Sequence, residues 1–80
     1  MMTLDQHPLG VAGTVRAVVA PAGRAELAGQ LQDLGFEPGE SVSVLKRAIF
    51  GGDPLVVRVG LSTYALRRAE AACVLVEPAA

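Results

Sequence analysis

Few residues of this chain could do chemistry. There is one histidine, His7, one cysteine, Cys73, and a sparse set of carboxylates. A nucleophilic centre needs a base within reach of its nucleophile. His7 stands near the start of the sequence, and Cys73 sits in the apolar run Ala71-Ala72-Cys73-Val74-Leu75-Val76, where a free thiol behaves as a small buried hydrophobe. Asp33, Glu37 and Glu40 could supply paired carboxylates, but they gather around a turn and read as a solvated acidic edge. No glycine-rich phosphate loop ending in Lys-Ser or Lys-Thr occurs. The residue types therefore point away from an enzyme.

Metal binding is the next chemistry to weigh. Asp5 and His7 are two residues apart, so an extended segment would put both on one face. Two ligands are too few for a closed zinc site. They are also too few and too poorly grouped for a specific ferrous site. A second molecule could complete the set, so a zinc ion held between two chains of a weak homodimer is the one metal event the sequence allows. Otherwise His7 is expected at the surface, and no cofactor is required. A single cysteine excludes an internal disulfide or a cysteine cage.

Composition narrows the function classes further. The chain has 80 residues, 51% of them apolar, but only three aromatic residues: Phe36, Phe50 and Tyr64. A chain this short buries roughly 60–65% of its unfolded surface, so its core is thin and must be built from Val, Leu, Ala and Ile. Seven basic and eight acidic residues leave a net charge of −1, which offers no general attraction to phosphate backbones. Lys46-Arg47 and Arg67-Arg68 are too short to be basic tracts and are expected to be solvated pairs. No apolar run approaches the ~20 residues that span a bilayer, and the first residues do not form a secretory leader. A lone thiol suits the cytoplasm.

These residues need elements to position them. Residues 11–19 are rich in β-branched side chains and read as a strand, closed by Pro21. Residues 24–34 carry the only helical pattern, with Leu27, Leu31 and Leu34 on one face as core. Gly35 is placed to end that helix in the left-handed conformation, with Phe36 folding back onto Leu31. Gly29 weakens the helix interior, and a close neighbouring backbone would explain it. Glu37-Pro38-Gly39-Glu40 has the signature of a type II turn. A strand follows from Ser41, where the adjacency Val44-Leu45 predicts a bulge that buries both. Gly51-Gly52-Asp53-Pro54 turns the chain, residues 55–59 form a strand, and Gly60 opens a tight hairpin at residues 60–63. Residues 64–66 continue the sheet, 67–71 allow one helical turn, 73–76 close the sheet, and 77–80 form a fraying tail. Residues 1–80 thus form a single domain, with its core over about 10–77 and short flexible termini. It is a mostly β, small SH3-like barrel of about five strands with one short helix after the first. An OB-like barrel is the second choice, and either would remove its own open edges.

Four segments in fixed order resemble the FeoA family. They are Gln30-Leu31-Gln32-Asp33-Leu34-Gly35-Phe36, then Glu37-Pro38-Gly39 with its alternating strand, then Phe50-Gly51-Gly52-Asp53-Pro54-Leu55, and then Ala65-Leu66-Arg67-Arg68-Ala69-Glu70-Ala71. The pattern is also similar to the SH3-like domain at the end of iron- and manganese-dependent repressors. Two positions depart from the family: Gln30 replaces a frequent arginine, and Leu61 stands where the family commonly has glycine. The resemblance implies a cytoplasmic accessory protein of bacterial ferrous iron transport. Its implied partner is FeoB, a membrane transporter whose GTP-binding domain, assembly or gate it would bias by non-covalent docking. Candidate contacts, chosen for expected exposure, are Arg24, Gln30, Lys46, Arg47 and Leu61, with the 46–53 loop. Gly35, Pro38, Gly39, Gly52, Pro54 and Gly60 are read as turns and caps. An SH3-like peptide-binding or self-associating module is the alternative. A nucleic-acid module fits poorly, because charge and stacking rings are both lacking.

Overall fold

The computed structural model describes residues 1–48 and 51–79. The part of the third family-like segment that falls on Phe50, and the end of the tail at Ala80, lie outside the described residues. The chain forms β1 (Met2–Thr3), a 3₁₀ turn (Leu4–Gln6), β2 (Gly13–Val18), α1 (Glu26–Leu34), β3 (Ser41–Arg47), β4 (Leu55–Val59), β5 (Ser62–Leu66), α2 (Arg68–Ala71) and β6 (Val74–Pro78). Six strands join in one antiparallel sheet in the order β1-β6-β2-β3-β4-β5. Every strand from β2 to β6 sends side chains into a single cluster with Leu27, Leu31 and Phe36, so the sheet curls around one core in the SH3-like manner. It does not close by hydrogen bonds: β1 and β5 each keep an open edge, in contrast to the sealed barrel expected.

The helix starts later than its pattern suggests. Arg24 and Ala25 form an entering turn, with Leu27 N–H bonded to Arg24 O at 3.0 Å, because no Ser, Thr, Asp or Asn is present to cap at residue 24. Its far end is a Schellman turn. Gly35 has φ +116°, its N–H donates to Gln32 O at 2.9 Å, and Phe36 N–H donates to Leu31 O at 3.1 Å. This return buries Phe36 completely, with its ring 6.4 Å from that of Tyr64. Leu34, expected in the core, is instead 37% exposed. A side chain at Gly29 would meet nothing within 4 Å, so no close neighbour accounts for that glycine.

The expected bulge in β3 lies between Val44 and Lys46. It does not bury both neighbours. Val44 turns inward, and the extra residue, Leu45, points out, because a bulged residue is left without a cross-strand place in the core. The 77–80 tail does not fray over its described part. Glu77 pairs with Thr14 and Pro78 with Gly13, and Ala79 N–H donates to Ala12 O at 3.1 Å.

The start of the chain is also built in. Met2 and Thr3 pair with Val76 and Leu75, and Leu4 is fully buried. The first long strand accordingly begins at Gly13 rather than Val11. A Cβ on Gly13 would lie 2.6 Å from Val76 Cγ1 and 3.1 Å from His7 Cε1, so only glycine lets the N-terminal strap cross β6 and β2 here.

Candidate partner-binding surface

His7 is not a surface residue. Its side chain is 1% exposed, and Nε2 lies 2.9 Å from Val11 O. A carbonyl only accepts, so Nε2 carries the proton, and Nδ1 has no partner among the described residues. The Asp5 carboxylate accepts a bond from the Thr3 hydroxyl. The imidazole is enclosed within its own chain, whereas a metal site shared between two molecules would need it presented at the surface. Among the described residues, no three His, Cys, Asp or Glu side chains group to hold an ion.

Arg47 is also not a solvated cation. Its guanidinium reaches across the fold and donates from Nη2 to Asp5 O at 3.1 Å and to His7 O at 2.6 Å. It ties the N-terminal strap to the end of β3, a structural task in place of the free contact role expected of it. The only signal for that task in the sequence is an arginine on the last position of an alternating strand. Arg67 and Arg68 do similar work around a turn. Arg68 N–H donates to Asp53 Oδ1 at 3.2 Å, its Nη1 donates to Gly51 O at 3.2 Å, and Arg67 pairs with Asp53 at 3.9 Å.

The remaining contact candidates are exposed but scattered. Arg24 precedes α1 and bonds Glu26 at 2.6 Å. Gln30 lies in α1, Lys46 at the end of β3, and Leu61 at the tip of the β4–β5 hairpin. Leu61 is 93% exposed, and Gly60 before it has φ +58°. Gly39 and Gly52 also take positive φ, at 93° and 65°. The Pro38-Gly39 turn closes through Glu40 N–H to Glu37 O at 3.0 Å. Pro54 follows a cis peptide bond.

A shallow cleft of about 140 Å³ is lined by Ala12, Ser41, Val42, Ser43, Arg58 and Gly60. It is smaller than the roughly 300 Å³ at which small-molecule sites begin. Cys73 is buried, with Sγ 3.5 Å from Ala69 O, and burial pushes its thiol up from the ordinary range. What this surface offers is non-covalent contact: a curled sheet with open edges, an apolar hairpin tip and exposed cations.

Those features define a small SH3-like β module. A match to the FeoA domain covers residues 2–78, and the chain belongs to the FeoA family, whose members are accessory domains of ferrous iron transport. FeoA of Stenotrophomonas maltophilia is 38% identical, with a TM-score of 0.86 over 96% of this chain and 91% of that one. That protein is described as a prokaryotic SH3 domain protein complexed with zinc and as a candidate ferrous iron transport activating factor. FeoA of Chlorobium tepidum is 30% identical, with a TM-score of 0.84 over 99% of this chain and 71% of that one. A manganese-dependent transcriptional repressor shares the fold at 19% identity, with a TM-score of 0.80 over 96% of this chain and 41% of the repressor. No curated protein matches the chain. No helix among the described residues is long and apolar enough to cross a membrane.

Proposed function

We propose that this chain is a non-catalytic accessory protein that docks on the cytoplasmic part of a FeoB-type transporter and biases its nucleotide state, assembly or gate. The observation that carries this reading is the FeoA-domain match across residues 2–78. The exposed side chains are consistent with it, because they can make contacts and are not arranged for bond-breaking. The zinc complex of the Stenotrophomonas relative suggests that divalent ions can associate with such a fold. In this chain, ferrous iron is the cargo of the transporter and not a resident of the domain.

Docking is proposed to use Lys46 and Leu61, with Arg24 and Gln30 as secondary contacts. Arg47 is set aside, since its guanidinium holds the N-terminal strap. A single module with residues 1–80 acting as one unit in the cytoplasm completes the proposal. The test is capture of full-length FeoB by the immobilised chain, with and without GTP. Lys46→Glu and Leu61→Ser should each reduce capture while leaving the circular dichroism spectrum and melting midpoint unchanged. Undiminished capture by both variants would remove this face from the proposal.

A further inference from the structure

The direction of the backbone amides in β5 follows from one hydrogen bond. Gly60 N–H donates to Ser41 O at 2.9 Å, so Gly60 and Arg58 turn their backbone groups toward β3. Val59, Val57 and Leu55 then turn theirs toward β5, where they face Ser62, Tyr64 and Leu66. The N–H and C=O groups of Thr63 and Ala65 are left pointing away from the sheet. No strand among the described residues pairs with that edge.

Open edges are usually protected by charge, proline or a bulge. β5 reads Ser62-Thr63-Tyr64-Ala65-Leu66, without any of these. The opposite edge is only the two residues of β1. An unguarded five-residue edge is a template for an added strand.

Charge selects the occupant. Strands β3, β4 and β5 contain Lys46, Arg47 and Arg58 and not one acidic residue, although the whole chain carries a net charge of −1. Arg47 is committed to the strap. Arg58 is opposite Thr63 and Lys46 is opposite Val56, which is opposite Ala65, so both cations share the outward face with Thr63 and Ala65. Neither belongs to an ion pair among the described residues. A strand added to β5 would lie about 10 Å from β4, two strand spacings. That distance is within the combined reach of an arginine and a glutamate. A second copy of this chain is a poorer fit, since its β5 brings no acid and a five-residue pairing falls well short of the ~1,000 Å² of a stable interface.

We propose that the open edge of β5 is a strand-addition site for an extended partner segment with acidic side chains at alternate positions. The site stands apart from the identity of the transporter, and peptides test it without one. The probes are two capped heptapeptides, Val-Glu-Val-Glu-Val-Glu-Val and the same sequence with lysine in place of glutamate, titrated into the ¹⁵N-labelled full chain. With the acidic peptide at ten times its Kd, the Thr63 and Ala65 amides should exchange with solvent about tenfold more slowly. The lysine peptide should not protect them. Arg58→Glu should weaken the acidic peptide by about fivefold, the scale of one cross-strand charge pair reversed. Ala65→Pro removes an outward N–H that β4 does not use, and it should abolish protection. If that variant does not fold, Arg58→Glu still decides. Equal binding of both peptides, an unaffected Arg58→Glu, or protection elsewhere with Thr63 and Ala65 unchanged would overturn the proposal. Concentration-dependent protection without peptide would overturn the occupant, making it a second copy.

Discussion

At the scale of single residues, the strongest constraints belong to side chains with no part in chemistry. Arg47 replaces the solvation of two backbone carbonyls, and bonds from a charged donor are worth about 1.5–3 kcal/mol each when they are made and partly shielded. The half-buried site reduces this, so Arg47→Met should cost about 2 kcal/mol in chemical denaturation, and Lys46→Met, at an exposed position, should cost less than about 0.5 kcal/mol. Cys73 gives a pH dependence. Burial raises its thiol above the ordinary range, with the Arg24 charge opposing the shift and Glu70 adding to it. The unfolded thiol therefore ionises first. The stability contributed by the neutral buried thiol is complete below the unfolded pKa, near 8.5, and is lost as pH climbs toward the folded value. Urea midpoints of wild type should fall on that alkaline side, and Cys73→Ala should flatten the fall. Parallel slopes for the two proteins would contradict this. The sequence made Cys73 legible as a core thiol, because its apolar neighbours are contiguous with it. His7 and Arg47 were not legible, because their surroundings come from residues about forty positions away and no local pattern announces such a crossing.

At the scale of elements, local signals carried furthest where one residue dictates geometry. Gly35 at φ +116° with both Schellman bonds, the Pro38-Gly39 turn, and the Gly60 hairpin each follow from backbone preferences that need no tertiary context. Gly35→Val should destabilise by about 1–3 kcal/mol, since a β-branched residue resists positive φ. Gly29→Ala should stabilise by about 0.5–1 kcal/mol, because the position is helical, exposed and open around the absent Cβ. The pair separates the two uses of glycine in adjacent stretches of chain, and a melting series on both variants checks it. Elements that depend on distant partners were missed or misplaced. β1 is two residues long and exists only through Val76 and Leu75. The end of β6 runs through Glu77 and Pro78, residues with little strand propensity, because Gly13 and Thr14 lie beside it. Leu34 and Leu45 have the right periodicity for burial, yet Leu34 is exposed at the last turn of α1 and Leu45 stands at a bulge.

At the scale of the whole molecule, a chain of 80 residues gathers its buried apolar side chains into one core and leaves several large ones outside, among them Leu9, Val19, Leu45 and Leu61. Its electrostatics are uneven: acids sit in turns, helices and the two terminal segments, and the β3–β5 half of the sheet has none. Such a module can recognise a protein surface of complementary shape and charge. The chain exposes 4720 Å² in all, which limits the area it can commit to one contact. Affinity should therefore be modest and should fall as salt rises. The direct measurement is a titration of the intact chain into full-length FeoB from the same genome, held in nanodiscs, with no nucleotide, with GDP and with a non-hydrolysable GTP analogue. Saturable binding in at least one nucleotide state, weakened by added salt, is the result expected. Absence of binding in all three states, at concentrations where the chain remains folded, would contradict the assignment of this FeoA-family protein as a FeoB-docking module.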